Sequence, residues 1–189
     1  MIENLIELDQ ELFLYLNGLG TEGWDGFWMF ITNKWGSIPL YLVLLVFSIK
    51  AVGLKNTGIL LVLVALLITC TDQLANFFKF GLQRPRPCHE DVIYEQMRLV
   101  KSYCGGKFGY FSAHAASTMA LATFFVTTFY SKLRWYGALL ILWALLVGYS
   151  RIYIGVHYPG DVFTGIFVGI IFGWLFAKMY IFVVLKLGG

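Results

Sequence analysis

The sequence predicts an all-α integral membrane protein: a helical bundle of five to six transmembrane helices, with an N-terminal amphipathic helix lying at the interface. Three observations carry this. Of the 189 residues, 59% are hydrophobic and only 13% are charged, where a soluble domain usually carries about 25% charged residues. The apolar residues fall in long runs suited to spans of about 20 residues each. The polar residues that could do chemistry gather where those runs end. A chain of this length has room for one bundle and its loops. A single domain over 1–189 is therefore expected, with an interfacial N-terminal region at 1–35 and the core of the bundle at 56–185.

Residues 1–18 mix Ile2, Leu5, Leu8, Leu12, Phe13 and Leu16 with Glu3, Glu7, Asp9 and Glu11. The apolar positions recur at helical spacing, which suits a helix lying in the interface rather than spanning it. Its start lacks a basic region and a small-residue cleavage site, so a cleaved signal peptide is not expected. The run Asn17-Gly18-Leu19-Gly20-Thr21 ends it. Residues 22–36 hold Trp24, Phe27, Trp28, Phe30 and Trp35, and tryptophans of this kind belong at the headgroup level. They form either a short second helix or the slanted start of the first span. Residues 36–49 are apolar but short, so the first span is expected to begin nearer Asp25. Further spans follow at 56–78, 112–130, 134–149 and 159–185. In the last, Gly160, Gly165, Gly169 and Gly173 lie on or near one face, and small residues four apart let helices approach closely in lipid.

Charge sets the topology. Lys50 and Lys55, Lys132 and Arg134, and Lys186 fall in three regions without acidic residues. By the positive-inside rule these face the cytoplasm. The loops at 79–111 and 150–158 then share the opposite face, and the cations of the first need another reason to be there. Cys88 and Cys104 fall in that loop and could pair in an oxidising compartment; two free thiols is the alternative. Cys70 reads as a small hydrophobe.

Three polar clusters reach that face: Lys79, Arg84 and Arg86 in KFGLQRPRP, Ser112 and His114 in FSAHAAST, and Ser150, Arg151, His157 and Asp161 in SRIYIGVHYPGD. Titratable groups beside hydrocarbon are costly and point to function. Arginines and a lysine suit a phosphoryl group, and a helix start adds backbone donors. One histidine can attack phosphorus with a carboxylate fixing its tautomer. The other can protonate the leaving oxygen. A metal site is not expected: His89, His114, His157 and Asp161 are the only plausible ligands, and the arginines disfavour a cation.

In these residues the chain resembles the type 2 phosphatidic acid phosphatase (PAP2) superfamily of membrane lipid phosphatases. The family's first signature, Lys, six residues, Arg-Pro, is matched by Lys79 and Arg86-Pro87. Its second, Pro-Ser-Gly-His, is met by Phe111-Ser112-Ala113-His114, with proline and glycine replaced. Its third, Ser-Arg, five residues, His, three residues, Asp, is matched in full by Ser150-Arg151, His157 and Asp161. The resemblance covers about residues 56–185. It implies His157 as the nucleophile forming a phosphohistidine, Asp161 as its orienting partner and His114 as the general acid. Lys79, Arg86, Arg151, Ser112 and the backbone near Ala113 would bind phosphate. It also implies no metal or other cofactor, a membrane lipid substrate, and a bacterial inner-membrane location with the site facing the periplasm. No nucleic acid or obligate protein partner is expected.

Other residues admit two readings. Arg84 could touch the distal phosphate of a lipid diphosphate or be a solvated loop charge; the former favours undecaprenyl diphosphate as substrate. The alternatives are the lipid A 1-phosphate, phosphatidylglycerophosphate, phosphatidic acid and diacylglycerol diphosphate. Phe111 is expected near the pocket mouth, against an acyl or prenyl chain. Ala113 is tolerated if it keeps helical dihedrals and strained if it needs a positive φ. Asp72, seven residues before Lys79, belongs to a structural network near the site. His89, Lys101 and Lys107 suit a solvated loop, and Tyr153, Tyr158 and the Trp24–Trp35 group suit interface anchors. A transporter or structural membrane protein is the reading from another class, but the chain lacks evident repeated halves.

Overall fold

The computed structural model describes residues 2–187; Met1, Gly188 and Gly189, within the single domain expected from sequence, lie outside the described residues. The protein is all-helical, and no strand occurs among the described residues. Six longer helices organise the described residues: α1 (Ile2–Gly18), α2 (Glu22–Thr32), α3 (Ile38–Leu82), α4 (Ala113–Thr128), α5 (Tyr136–Tyr153) and α6 (Pro159–Leu187). Stretches of α3, α5 and α6 are long and apolar enough to cross a membrane.

The aromatic segment is a separate helix, α2, and the first long helix starts at Ile38 rather than near Asp25. Asn33 takes an extended conformation (φ −81°, ψ 131°), and its side chain accepts from the Trp35 N–H, which breaks the helical path. Pro39 then sits in the first turn of α3, where its missing N–H costs nothing.

α3 is two arms rather than one rod. Gly53 has φ 76° and ψ 170°, a conformation that glycine reaches without a Cβ penalty. Tyr41, Leu44 and Ser48 of the first arm line one crevice with Leu60, Val64 and Ile68 of the second. In a straight helix Tyr41 and Ile68 would stand about 40 Å apart, so the arms fold back on each other. The turn at Gly53 lies at the same end as the α4–α5 connection, where the Lys132 Nζ donates to the Ala51 carbonyl (2.5 Å). The two basic connections assigned to one membrane face from sequence are thus neighbours.

α4 is the central helix. Ala115, Ala116, Met119, Ala120, Phe124 and Phe125 are all buried. On α6, Gly165, Gly169 and Gly173 lie against the α4 backbone at Ser112, Ala116 and Ala120. The outward faces are apolar, with Val43, Val62, Phe163 and Phe167 all more than half exposed, as lipid-facing surfaces require.

The 83–112 loop folds back over the end of the bundle. Cys88 and Cys104 are joined by a disulfide, with Cα atoms 6.0 Å apart. The Arg86 N–H donates to the Lys107 carbonyl and the Gly109 N–H to the Arg84 carbonyl. Two of the expected interface anchors prove to be core residues. Tyr153 and Tyr158 are 3% and 2% exposed. Trp28 stacks on Tyr153 at 5.2 Å, and Phe13 of α1 packs edge-on against Tyr158. Trp24 and Trp35 do stand exposed.

Candidate active site

The three polar clusters meet at the end of the bundle opposite the Gly53 turn. Asp72, Asn76 and Lys79 from the last turns of α3, Arg86 from the loop, Ala113 and His114 from the start of α4, and Arg151 and His157 line one cavity of about 240 Å³. Asp72, Asn76 and Lys79 share a helical face through their i, i+4, i+7 spacing.

His157 lies in the short turn between α5 and α6, held by its backbone N–H donating to the Arg151 carbonyl (3.2 Å). Its Nδ1 is 3.4 Å from Asp161 Oδ2. The same carboxylate oxygen accepts from the Tyr158 N–H at 3.0 Å. A carboxylate at Nδ1 favours the proton there and leaves the Nε2 lone pair for chemistry. Burial, opposed by Asp161, pulls the His157 imidazole down to about 4. It is therefore neutral at pH 7, and its lone pair is lost only as pH falls through about 4. The acid limb that His157 sets in kcat/KM is expected near that pH, not near the ordinary histidine value of about 6.5. A pH–rate profile corrected for substrate ionisation checks this, and an enzyme limb near 6.5 contradicts it.

Two of the cations are fixed in place by protein contacts. Arg151 is 6% exposed. Its Nη1 donates to Thr32 Oγ1 at 2.6 Å, while its buried Nε has no hydrogen-bond partner among the described residues. A buried guanidinium N–H left open is costly, and a bound oxyanion would satisfy it. Arg86 spends Nε and Nη1 on the carbonyls of Phe108 and Cys104 (3.2 Å each), which fix its plane. Burial, partly offset by Asp161, lowers its pKa.

Ala113 and His114 at the start of α4 line the cavity, while Ser112 does not. Ser112 is fully buried as its N-cap, its hydroxyl accepting from the Ala115 N–H at 3.5 Å; the hydroxyl proton stays free to donate. Ala113 is the first helical residue and is not among the positive-φ residues, so alanine fits here without backbone strain. The first amides of a helix have no intrahelical partner and favour an anion.

Two sequence expectations are corrected. Phe111 is 1% exposed and clusters with Ala75 and Ala116, its ring 5.8 Å from that of Phe78. It is core, not pocket mouth, because the chain entering α4 packs it against Ala75 and Phe78 of α3. Arg84 is neither solvated nor turned to the cavity: Nη1 is 2.9 Å from Asp161 Oδ1 and Nη2 is 2.6 Å from Asp9 Oδ2. Burial pulls its guanidinium pKa down, and the two carboxylates more than offset this, leaving it raised. His89 is exposed and near the Gly105 carbonyl (3.3 Å).

Sequence reasoning missed Asp9, Asn17 and Thr32. Asp9, Phe13 and Asn17 sit four residues apart, one stripe of α1. Phe13 and Asn17 are fully buried, and an apolar residue flanked by polar ones at that spacing was the available signal.

Residues 57–183 match the family model described as the PAP2 superfamily. The chain is 38% identical over 178 residues to a lipid A 4′-phosphatase of Bacteroides thetaiotaomicron, covering 93% of this chain and 78% of that protein. It is 34% identical over 184 residues to the lipid A 4′-phosphatase of Porphyromonas gingivalis, covering 96% and 76%. The crystal structure of Aquifex aeolicus LpxE superposes with a TM-score of 0.66 at 30% identity, covering 89% of this chain and 93% of that one.

Proposed function

The chain belongs to the PAP2 superfamily and is a membrane lipid phosphatase, and from that premise we propose that it removes the 4′-phosphate of lipid A through a phosphohistidine on His157. The observation that carries the mechanism is the single cavity holding His157, His114, Lys79, Arg86 and Arg151, with Asp161 behind His157.

Each step follows from that arrangement. Lys79, Arg86, Arg151 and the α4 amides hold the phosphoryl oxygens and neutralise their charge. The His157 Nε2 lone pair attacks phosphorus, the P–O bond to the sugar breaks, and Asp161 stabilises the imidazolium. With a phosphoryl dianion bound among the cations, His114 takes up a proton and gives it to the departing oxygen. Neutral His114 then takes a proton from water as that water attacks phosphorus, the P–N bond breaks, and inorganic phosphate leaves. Ser112 donates to a phosphoryl oxygen. No step calls for a metal, because the cations supply the charge.

The substrate assignment rests on two supports. The relatives above that are named for an activity are lipid A 4′-phosphatases. Arg84, the cation that favoured a lipid diphosphate, is committed to two carboxylates, which leaves a cation set suited to one phosphoryl group. Undecaprenyl diphosphate therefore yields to a phosphate monoester. The site is assigned to the periplasmic face of a bacterial inner membrane, opposite the lysines and arginines of the Gly53 turn and the α4–α5 connection.

Purified protein is expected to release phosphate from lipid A with kcat/KM at least ~10-fold above undecaprenyl diphosphate, phosphatidylglycerophosphate or phosphatidic acid, a ratio within reach of a few pocket contacts. Mass spectrometry of the product should place the loss at the 4′ position rather than the 1 position. Faster turnover of undecaprenyl diphosphate would restore that lipid as substrate.

A further inference from the structure

Asp161 has two carboxylate oxygens, and only Oδ2 faces His157. The other, Oδ1, receives Arg84 Nη1 at 2.9 Å. Arg84 Nη2 reaches Asp9 Oδ2 at 2.6 Å. Asp9 Oδ1 accepts from the Gly160 N–H at 2.7 Å, one residue before Asp161. The guanidinium lies over the Tyr158 ring, 4.4 Å from its centroid. Four residues from three parts of the chain thus form a closed circuit behind the histidine. It is sheltered: the Arg84, Asp9 and Asp161 side chains are 22%, 15% and 0% exposed.

α1 is secured a second time at its far end. Asn17 Nδ2 donates to the carbonyls of Arg98, Ile152 and Tyr153, and its Oδ1 accepts from the Arg98 N–H at 2.7 Å. The helix therefore grips both sides of the turn that carries His157. It lies wholly outside residues 57–183, where the family match falls.

We propose that Arg84 and Asp9 are positioning residues for His157: Arg84 holds Asp161 with Oδ2 toward Nδ1, and Asp9 holds Arg84. The physical reason is that a buried carboxylate lacking a cation either turns to find another donor or takes up a proton. Either change removes the acceptor that orients the imidazole. Arg84 suits the task because its planar fork presents one nitrogen to each carboxylate in a fixed geometry, where lysine offers a flexible point charge. Neither residue lines the cavity that holds His157; both line a separate groove beside Tyr158 and Gly160.

This rests on His157 being the nucleophile, and the experiment separates the two ideas. Arg84→Gln, Arg84→Lys, Asp9→Asn and the Asp9→Asn/Arg84→Gln pair are made in the full chain, with His157→Ala alongside, and steady-state kinetics are measured on lipid A. Arg84→Gln is expected to lower kcat about 100-fold with KM within about twofold, the effect of a misaimed reacting group. Asp9→Asn should lower kcat by a smaller factor, and Arg84→Lys should recover part of the loss. The pair should be no worse than Arg84→Gln alone, because both act through one contact. A rise in KM with kcat kept would make Arg84 a substrate contact and overturn the proposal, as would unchanged kcat. If Arg84→Gln does not fold, isosteric Asp9→Asn decides alone: unchanged kcat overturns. Turnover persisting in His157→Ala would instead sink the nucleophile assignment.

Discussion

Replacing His157 with alanine is expected to lower kcat at least ~10⁴-fold, because covalent catalysis has no second nucleophile to fall back on. His157 is the imidazole in the cavity whose Nδ1 meets a carboxylate. Lys79, Arg86 and Arg151 remain in the variant, so phosphate binding should survive, and the inhibition constant of inorganic phosphate should change little. Rapid quench with radiolabelled lipid phosphate should trap label on His157 in the parent protein and none in the variant. In a His114→Ala variant, label should still appear on His157, since His114 serves the leaving group and the later water. Label found on His114 would reverse the two roles. Phosphate release that persists at the parent rate would remove His157 from the mechanism, and lipid flipping that persists in the inactive variant would add a transport activity.

Gly169→Leu is expected to disrupt the packing of α6 on α4. A Cβ built at Gly169 falls 2.5 Å from the Ala116 carbonyl oxygen, 2.9 Å from Met119 Cβ and 3.0 Å from the Ala120 nitrogen. Gly165 meets the Ser112 carbonyl and Gly173 the Ala120 carbonyl in the same way. The four-residue spacing on α6 matches the four-residue spacing of carbonyls on α4, so the helices touch backbone to backbone. Backbone cannot rotate away as a side chain can. Even one methyl group there should cost about 1–3 kcal/mol, and leucine more. The effect should reach the site, because the Ser112 N–H donates to the Asp161 carbonyl at 3.0 Å across the same contact. Thermal unfolding in detergent should show a lowered Tm for Gly169→Ala and loss of cooperative folding for Gly169→Leu, with turnover falling in parallel. Gly58, with nothing within 4 Å of its Cβ position, is the control and should accept leucine. A Gly169→Leu protein with parental Tm would mean the helices are not packed this closely.

The proposed catalytic set was legible in the sequence because its chemistry is written in local spacing. His157 and Asp161 are four residues apart, Lys79 and Arg86 seven, and each group ends an apolar run. Their gathering followed from topology alone, since alternate loops of a spanning bundle share a face. Arg84 and Phe111 were misread for one reason. The sequence shows a cation near a phosphate site and an aromatic before a helix, but not which way the loop turns them. The loop turns Arg84 onto Asp161 and Asp9, and the entry to α4 buries Phe111 against Phe78. Tyr153 and Tyr158 were misread likewise, because interfacial and core aromatics look alike until the packing of α1 and α2 is known.

The sequence by itself determined that this is a helical membrane protein whose histidine, lysine and arginine clusters gather at one end, where we propose that phosphate binds. Hydropathy, charge asymmetry and signature spacing are properties of short stretches, and short stretches are what a sequence displays. Only the tertiary structure decided that α1 is part of that end. Asp9 lies 75 residues from Arg84 and 151 from Gly160, and no local rule relates them. Their meeting depends on Asn17 and Phe13 docking α1 against the histidine turn. It is this long-range packing that turns an acidic residue on an amphipathic helix into a partner of the active site.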